Sequence, residues 1–135
     1  MTRLECLVRY TWAMPNTLIG ALLLPCALGR GGAIRFVDGV VEVHAPAIAW
    51  ILRSAVPLRG GAAAITLGHI VAGCDAAALE RTRRHERVHV RQCETWGIAF
   101  IPAYLVASLW ALVAGAGAYE GNYFERQARM IQARR

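Results

Sequence analysis

The sequence predicts an α+β domain: a small three-stranded sheet, a long polar helix, and one or two hydrophobic membrane-associated helical segments. Three observations predict it. β-rich runs broken by turn residues occupy residues 33–71, and a helix-period pattern follows Asp75 over residues 76–96. Two uncharged apolar stretches, 12–28 and 97–119, flank this middle region. At 135 residues the chain forms one domain, large enough to bury a core and too small for a second.

Composition sets the surroundings. The chain is 56% hydrophobic and carries a net charge of +6, a balance common in small membrane-associated proteins and unusual in soluble domains. All fifteen basic residues are arginine, which genomic base composition explains. Their surplus suits anionic neighbours such as lipid headgroups. No aromatic-basic interleaving accompanies the arginines, so no nucleic-acid partner is expected. Cys6, Cys26, Cys74 and Cys93 form no CxxC pair; neither a disulfide framework nor a zinc finger is indicated, and they read as small apolar residues.

The first apolar stretch, "WAMPNTLIGALLLPCAL" at 12–28, follows Arg3 and Arg9. It suits a short membrane span or an uncleaved anchor, and equally a cleaved signal peptide ending near Gly29 or a buried core helix. Residues 1–30 are therefore read as an N-terminal hydrophobic anchor segment. Pro25 stands where a lipidation signal needs a small residue before Cys26, so lipidation is not expected.

Next, "AIRFVDGVVEVHA" at 33–45 places two β-rich runs around Asp38-Gly39, a strong hairpin signal. "AIAWILRS" at 47–54 fits helix or strand. "AAITLGHIV" at 63–71 reads as the third strand, and Asp75 is placed to cap the helix that follows.

That helix carries "RRHERVHVRQ", residues 83–92. At 100° per residue, Thr82, His89, Cys93 and Glu86 fall within about 100° of His85, while Arg83, Arg84, Arg87 and Arg91 occupy the opposite side. The arginines read as a solvated or headgroup-facing stripe. His85-Glu86-Arg87-Val88-His89 is an HExxH pair. Two imidazoles one turn apart can converge on one ion, and the intervening glutamate can reach a water at that ion. The plain alternative is a polar helix face with satisfied histidines.

Some thirty residues further on lies "NYFERQA". Together with "HERVHVRQ" it resembles the gluzincin class of zinc metallopeptidases, particularly its compact minigluzincin-like members, in which a second helix supplies a glutamate in a pattern close to N-P-F-E-x-x-A. The resemblance covers about residues 63–130. It implies a metallopeptidase domain over 31–135, with an active-site helix and a glutamate helix. His85, His89 and Glu125 would be Zn2+ ligands, Glu86 the catalytic acid/base, and Ala128 the small residue one turn beyond Glu125. Tyr123 replaces the proline of the pattern, and Glu120 is the fallback ligand. Without a metal, Glu125 would be a surface carboxylate paired with an arginine. Cys93 is a minor alternative ligand. Tyr104, Tyr119 and Tyr123 are candidate oxyanion donors, with packing as their default role. His69, alone on its strand, is expected to be structural. The strand at 65–71 would form the upper edge of a cleft where an extended peptide adds as another strand.

The second apolar stretch, 97–119, conflicts with this site if it is straight. A single helix of that length, about 34 Å, would separate Glu125 from the histidines by a bilayer. The expectation is a bend at Pro102 and another around Gly115 to Gly117. The chain is thus expected to be a membrane-attached peptidase, at a bacterial inner membrane, acting on a peptide or protein substrate and contacting membrane lipids. The alternative is a non-enzymatic protein that docks the arginine face on anionic lipid or an acidic partner.

Overall fold

The structure, a computed structural model, describes residues 2–56, 58 and 60–134. It is α+β, with five α-helices and one mixed four-stranded sheet among the described residues. The strands are β1 (Ala33–Val37), β2 (Val40–His44), β3 (Ala64–Leu67) and β4 (Ile70–Gly73), in the order β1-β2-β4-β3. β1 pairs antiparallel with β2, β2 parallel with β4, and β4 antiparallel with β3.

The sheet has one strand more than expected because the run at 63–71 is itself a hairpin. Gly68 takes φ 64° between Leu67 and Ile70, and a Gly-X pair with positive φ at its first residue is a two-residue hairpin turn. The first hairpin follows the sequence reading: Asp38 and Gly39 take φ 48° and 80°, the doubly left-handed turn that Asp-Gly favours.

Between β2 and β3 the ambiguous segment is helix α2 (Pro46–Ser54). Pro46 opens it, where a missing N–H costs nothing, and Ile48 and Leu52 lie one turn apart on its buried face. They join Val43, Ile70 and Ala72 in a core cluster on one face of the sheet. The other face receives α3 (Ala76–Trp96), where Val40 and Val71 meet Leu79 and Val90. Asp75 caps α3 by accepting a 2.7 Å hydrogen bond from the Ala78 N–H.

The expected bend at Pro102 occurs earlier. α3 stops where Gly97 takes φ 55°; a short 3-10 turn, Gly97–Ala99, then leads into α4 (Phe100–Val113). Pro102 falls in the first turn of α4, where its ring removes no helical hydrogen bond. The second bend is where the sequence places it. After Val113 the Ala116 N–H bonds to the Ala111 carbonyl and the Gly115 N–H to the Leu112 carbonyl, closing the helix in a Schellman motif with Gly115 at φ 75°. The chain then returns as α5 (Tyr123–Ala133), capped by the Asn122 side chain on the Phe124 N–H at 2.8 Å.

The first apolar stretch is not one helix. α1 (Arg3–Ala21) starts earlier and gives way to a 3-10 turn at Leu24–Leu28. Its Ala13, Asn16 and Gly20 are buried, and the Asn16 side chain donates to the Gly97 carbonyl at 2.7 Å. The N-terminal segment therefore braces the junction between α3 and α4. Among the described residues, one helical run, Ala76–Val113, contains a segment long and apolar enough to cross a membrane, with a mean hydropathy of 1.8 and 17% of it buried. Gly97 breaks that run.

Candidate metal centre

α3 lies between two groups of polar side chains. On its sheet side, one row across the strands runs Glu42, Val71, Thr66. Because strand side chains alternate faces, all three point to α3. Glu42, 3% exposed, accepts from Arg83 Nε at 2.8 Å and Nη2 at 2.9 Å. Arg87 Nη2 donates to the Val37 carbonyl at 2.7 Å and to Glu42 at 3.3 Å. The arginine stripe therefore differs from the expectation. Arg84 and Arg91 are exposed, whereas Arg83 and Arg87 are spent on a buried carboxylate inside the fold, because β2 runs beneath them.

On the other side, the fold brings the two sequence motifs together. His85 Nε2 and His89 Nε2 are 3.1 Å apart. Glu125, from the first turn of α5, places Oε2 2.9 Å from His85 Nε2 and Oε1 3.2 Å from His89 Nε2. A tetrahedral ion with bonds of about 2.0–2.1 Å to N and O spaces its ligand atoms by roughly 3.3–3.4 Å. The group could therefore hold a metal ion after a few tenths of an ångström of adjustment.

The hydrogen bonds around the group orient its ring nitrogens. His89 Nδ1 lies 2.8 Å from Gln92 Oε1. An amide oxygen only accepts, so Nδ1 carries the proton and the neutral ring's lone pair sits on Nε2. That lone pair faces a second imidazole nitrogen and a carboxylate. The arrangement suits a metal ion, and without one a proton on His85 Nε2 or His89 Nε2 can be shared with the carboxylate. Burial raises the Glu125 carboxyl, but hydrogen bonding to His85, His89 and Tyr104 outweighs it and holds the group well below the usual carboxylate range.

Several supports fix this geometry. The Tyr104 hydroxyl donates to Glu125 Oε1 at 2.7 Å. Asn122, besides capping α5, donates to the Tyr104 carbonyl at 3.1 Å and to Ser108 Oγ at 2.7 Å, tying α5 to α4. Ala128 is fully buried one turn beyond Glu125. Gln92 donates to the Phe124 carbonyl at 3.2 Å and to Gln127 at 2.7 Å, so one residue sets the His89 tautomer and binds α3 to α5.

Glu86 lines the same cavity as His85, His89 and Glu125. Its Oε2 accepts from Thr66 Oγ1 at 2.7 Å. Burial raises its carboxyl above the ordinary value despite the opposing pull of His89 and Thr66, a condition suited to a group that accepts and returns a proton.

The remaining candidates lie elsewhere or have other roles. Glu120 is exposed and outside the group. Cys93 is buried with Ala13, Phe100 and Phe124, and burial pushes its thiol up to about 12. His69 stacks on Tyr10 with centroids 3.9 Å apart and meets Glu94 at 3.1 Å. Of the tyrosines, Tyr104 is committed to Glu125, Tyr119 lines the cavity and Tyr123 is exposed. Thr66, Gln92 and Glu42 were not singled out from sequence. Gln92 carried a usable signal, since a polar residue three positions after a helical histidine shares its face. Thr66 and Glu42 carried none without the strand register.

No family model, curated protein or solved structure matches the chain.

Proposed function

We propose that the chain is a membrane-associated zinc-dependent metallopeptidase. The observation that carries this reading is the convergence of His85, His89 and Glu125 within 3.2 Å of one another, next to a buried, hydroxyl-held Glu86. The chemistry zinc supplies at an open three-residue site is Lewis acidity, which polarises a carbonyl and lowers the pKa of water.

In this reading Glu86 takes a proton from the attacking water and returns it to the leaving amine nitrogen, so the peptide bond is exchanged for a carboxylate and an amine. Thr66 holds the Glu86 carboxylate in place, Gln92 keeps the His89 Nε2 lone pair directed inward, and Tyr104 orients Glu125. β3 is an edge strand that lines the cavity. An extended peptide would lie along it and be held chiefly by main-chain hydrogen bonds. The membrane assignment draws on the exposed apolar faces of α1 and α4, with Leu7, Leu18, Leu109 and Trp110 all more than half exposed, and on an arginine surplus suited to anionic headgroups.

The test is hydrolysis of a quenched-fluorescent peptide library by the zinc-loaded chain in lipid vesicles. Activity that Glu86→Gln lowers by about 100-fold or more while zinc binding persists supports the reading. Activity unchanged in Glu86→Gln refutes it.

A further inference from the structure

The cavity beside the His–Glu group has a volume of about 550 Å³. β3 and the segment before it form one wall, with Val56, Ala63, Ile65 and Leu67; α4 forms the other, with Ile101 and Leu105. Apart from the polar group at its base and Arg81, Thr82, Ser108, Tyr119 and Gln132 along its sides, it presents apolar carbon to an occupant. Leu105 also belongs to a second surface, being 61% exposed. From it the outer face of α4 continues through Val106, Leu109, Trp110 and Val113, each exposed by 62% or more. No charged residue occurs from 95 to 119. The rim of the cavity is therefore continuous with an uncharged helix face that water does not favour.

Three features identify a lipid bilayer as what covers that face. α4 is hydrophobic on all sides and only lightly buried, unlike a core helix. Trp12, Trp96 and Trp110 are exposed by 54%, 44% and 76%, as tryptophans at a membrane boundary are. Fifteen arginines stand against nine acids in the chain, and Arg84, Arg91 and Arg126 are exposed outside the uncharged segment, which complements anionic headgroups.

We propose that the cavity takes an apolar segment of a membrane-embedded polypeptide, which reaches it sideways from the bilayer past Leu105. This rests on reading the His–Glu group as a hydrolytic centre and α4 as lipid-facing. The substrate's apolar side chains exchange lipid for the walls of the cavity, so access costs little desolvation, while its backbone N–H and C=O groups find partners along β3. A soluble polar peptide lacks the first of these gains.

The test uses the full chain carrying Glu86→Gln, reconstituted in vesicles of phosphatidylglycerol and phosphatidylcholine. Two photo-crosslinking peptides of equal length are compared, a Leu/Ala membrane-spanning segment and a soluble Gly/Ser/Gln segment, and adducts are mapped by mass spectrometry. The expected result is crosslinking of the embedded peptide to Ile65, Leu67 or Leu105 at least tenfold above the soluble one, with Leu105→Glu reducing it at least fivefold. Leu105→Ser, a milder change at the same exposed position, should reduce it in the same direction. Adducts confined to Val106, Leu109 and Trp110, equal labelling of the cavity by the soluble peptide, or failure of the chain to bind the vesicles overturns the proposal. Zinc content measured on the unsubstituted chain separates the two readings. Cavity adducts from a chain that binds no zinc leave lateral access standing and remove the peptidase. Zinc with labelling by the soluble peptide alone does the reverse.

Discussion

Glu42 and Glu125 are both 3% exposed and both approach α3, from opposite sides. Glu42 meets the guanidinium groups of Arg83 and Arg87, which bring their own protons and charge. Glu125 meets two imidazole nitrogens, one of them left with an inward lone pair by Gln92. The first cluster carries its own counter-charge, although Arg87 Nη1 is buried without a partner, and its work is structural: it locks α3 to β2. The second has no fixed positive charge among its partners, and its three ligand atoms could hold a metal ion. Burial alone does not distinguish the two carboxylates; the kind of partner each one meets does.

The largest effect should come from breaking the Glu42–arginine cluster. Arg83→Ala combined with Arg87→Ala leaves Glu42 buried without a counter-charge and should cost about 3–5 kcal/mol of stability, read by urea unfolding. Glu125→Gln in chelator-treated protein should cost less than that, about 1–3 kcal/mol, because it loses charge-assisted hydrogen bonds with His85, His89 and Tyr104 but leaves no buried charge unpaired. Equal losses in the two variants would erase the distinction between the clusters.

A smaller effect sharpens the comparison within the metal group. Gln92→Leu frees the His89 tautomer and loosens α5, and should weaken zinc affinity by about 10–100-fold in competition with a chromophoric chelator. An unchanged affinity would mean that Gln92 merely fills space. The smallest expected change is for Thr66→Val, which should cost about 1 kcal/mol in stability and leave zinc binding intact while slowing hydrolysis. Loss of zinc there would place Thr66 among the supports of the ligands instead of Glu86.

Much of this was legible in the sequence because it depends on local spacing. Asp75 before a helix, Asp38-Gly39 between β-rich runs, and His85 and His89 one turn apart each have a meaning that short-range geometry supplies. Glu125 could be paired with them only through a resemblance, since nothing local to "NYFERQA" says which helix it will face. What escaped the sequence reading depends on register or on the position of a break. The hairpin at Gly68-His69 was hidden because Gly-His is a weaker turn signal than Asp-Gly. The break before α4 fell at Gly97, where Trp12 packs against the backbone and Asn16 bonds the carbonyl, and not at Pro102, which a first helical turn accommodates. The arginine face looked uniform on a helical projection, and only the strand beneath it separates Arg83 and Arg87 from Arg84 and Arg91.

The central claim is that His85, His89 and Glu125 form one metal site across two helices. Elemental analysis of the chain purified without chelators tests it most directly, on the wild type and on His85→Ala and Glu125→Ala variants whose folding is checked by circular dichroism. The account predicts about one zinc per wild-type chain and its loss in both folded variants. A folded wild type without zinc, or zinc retained after Glu125→Ala, would contradict it.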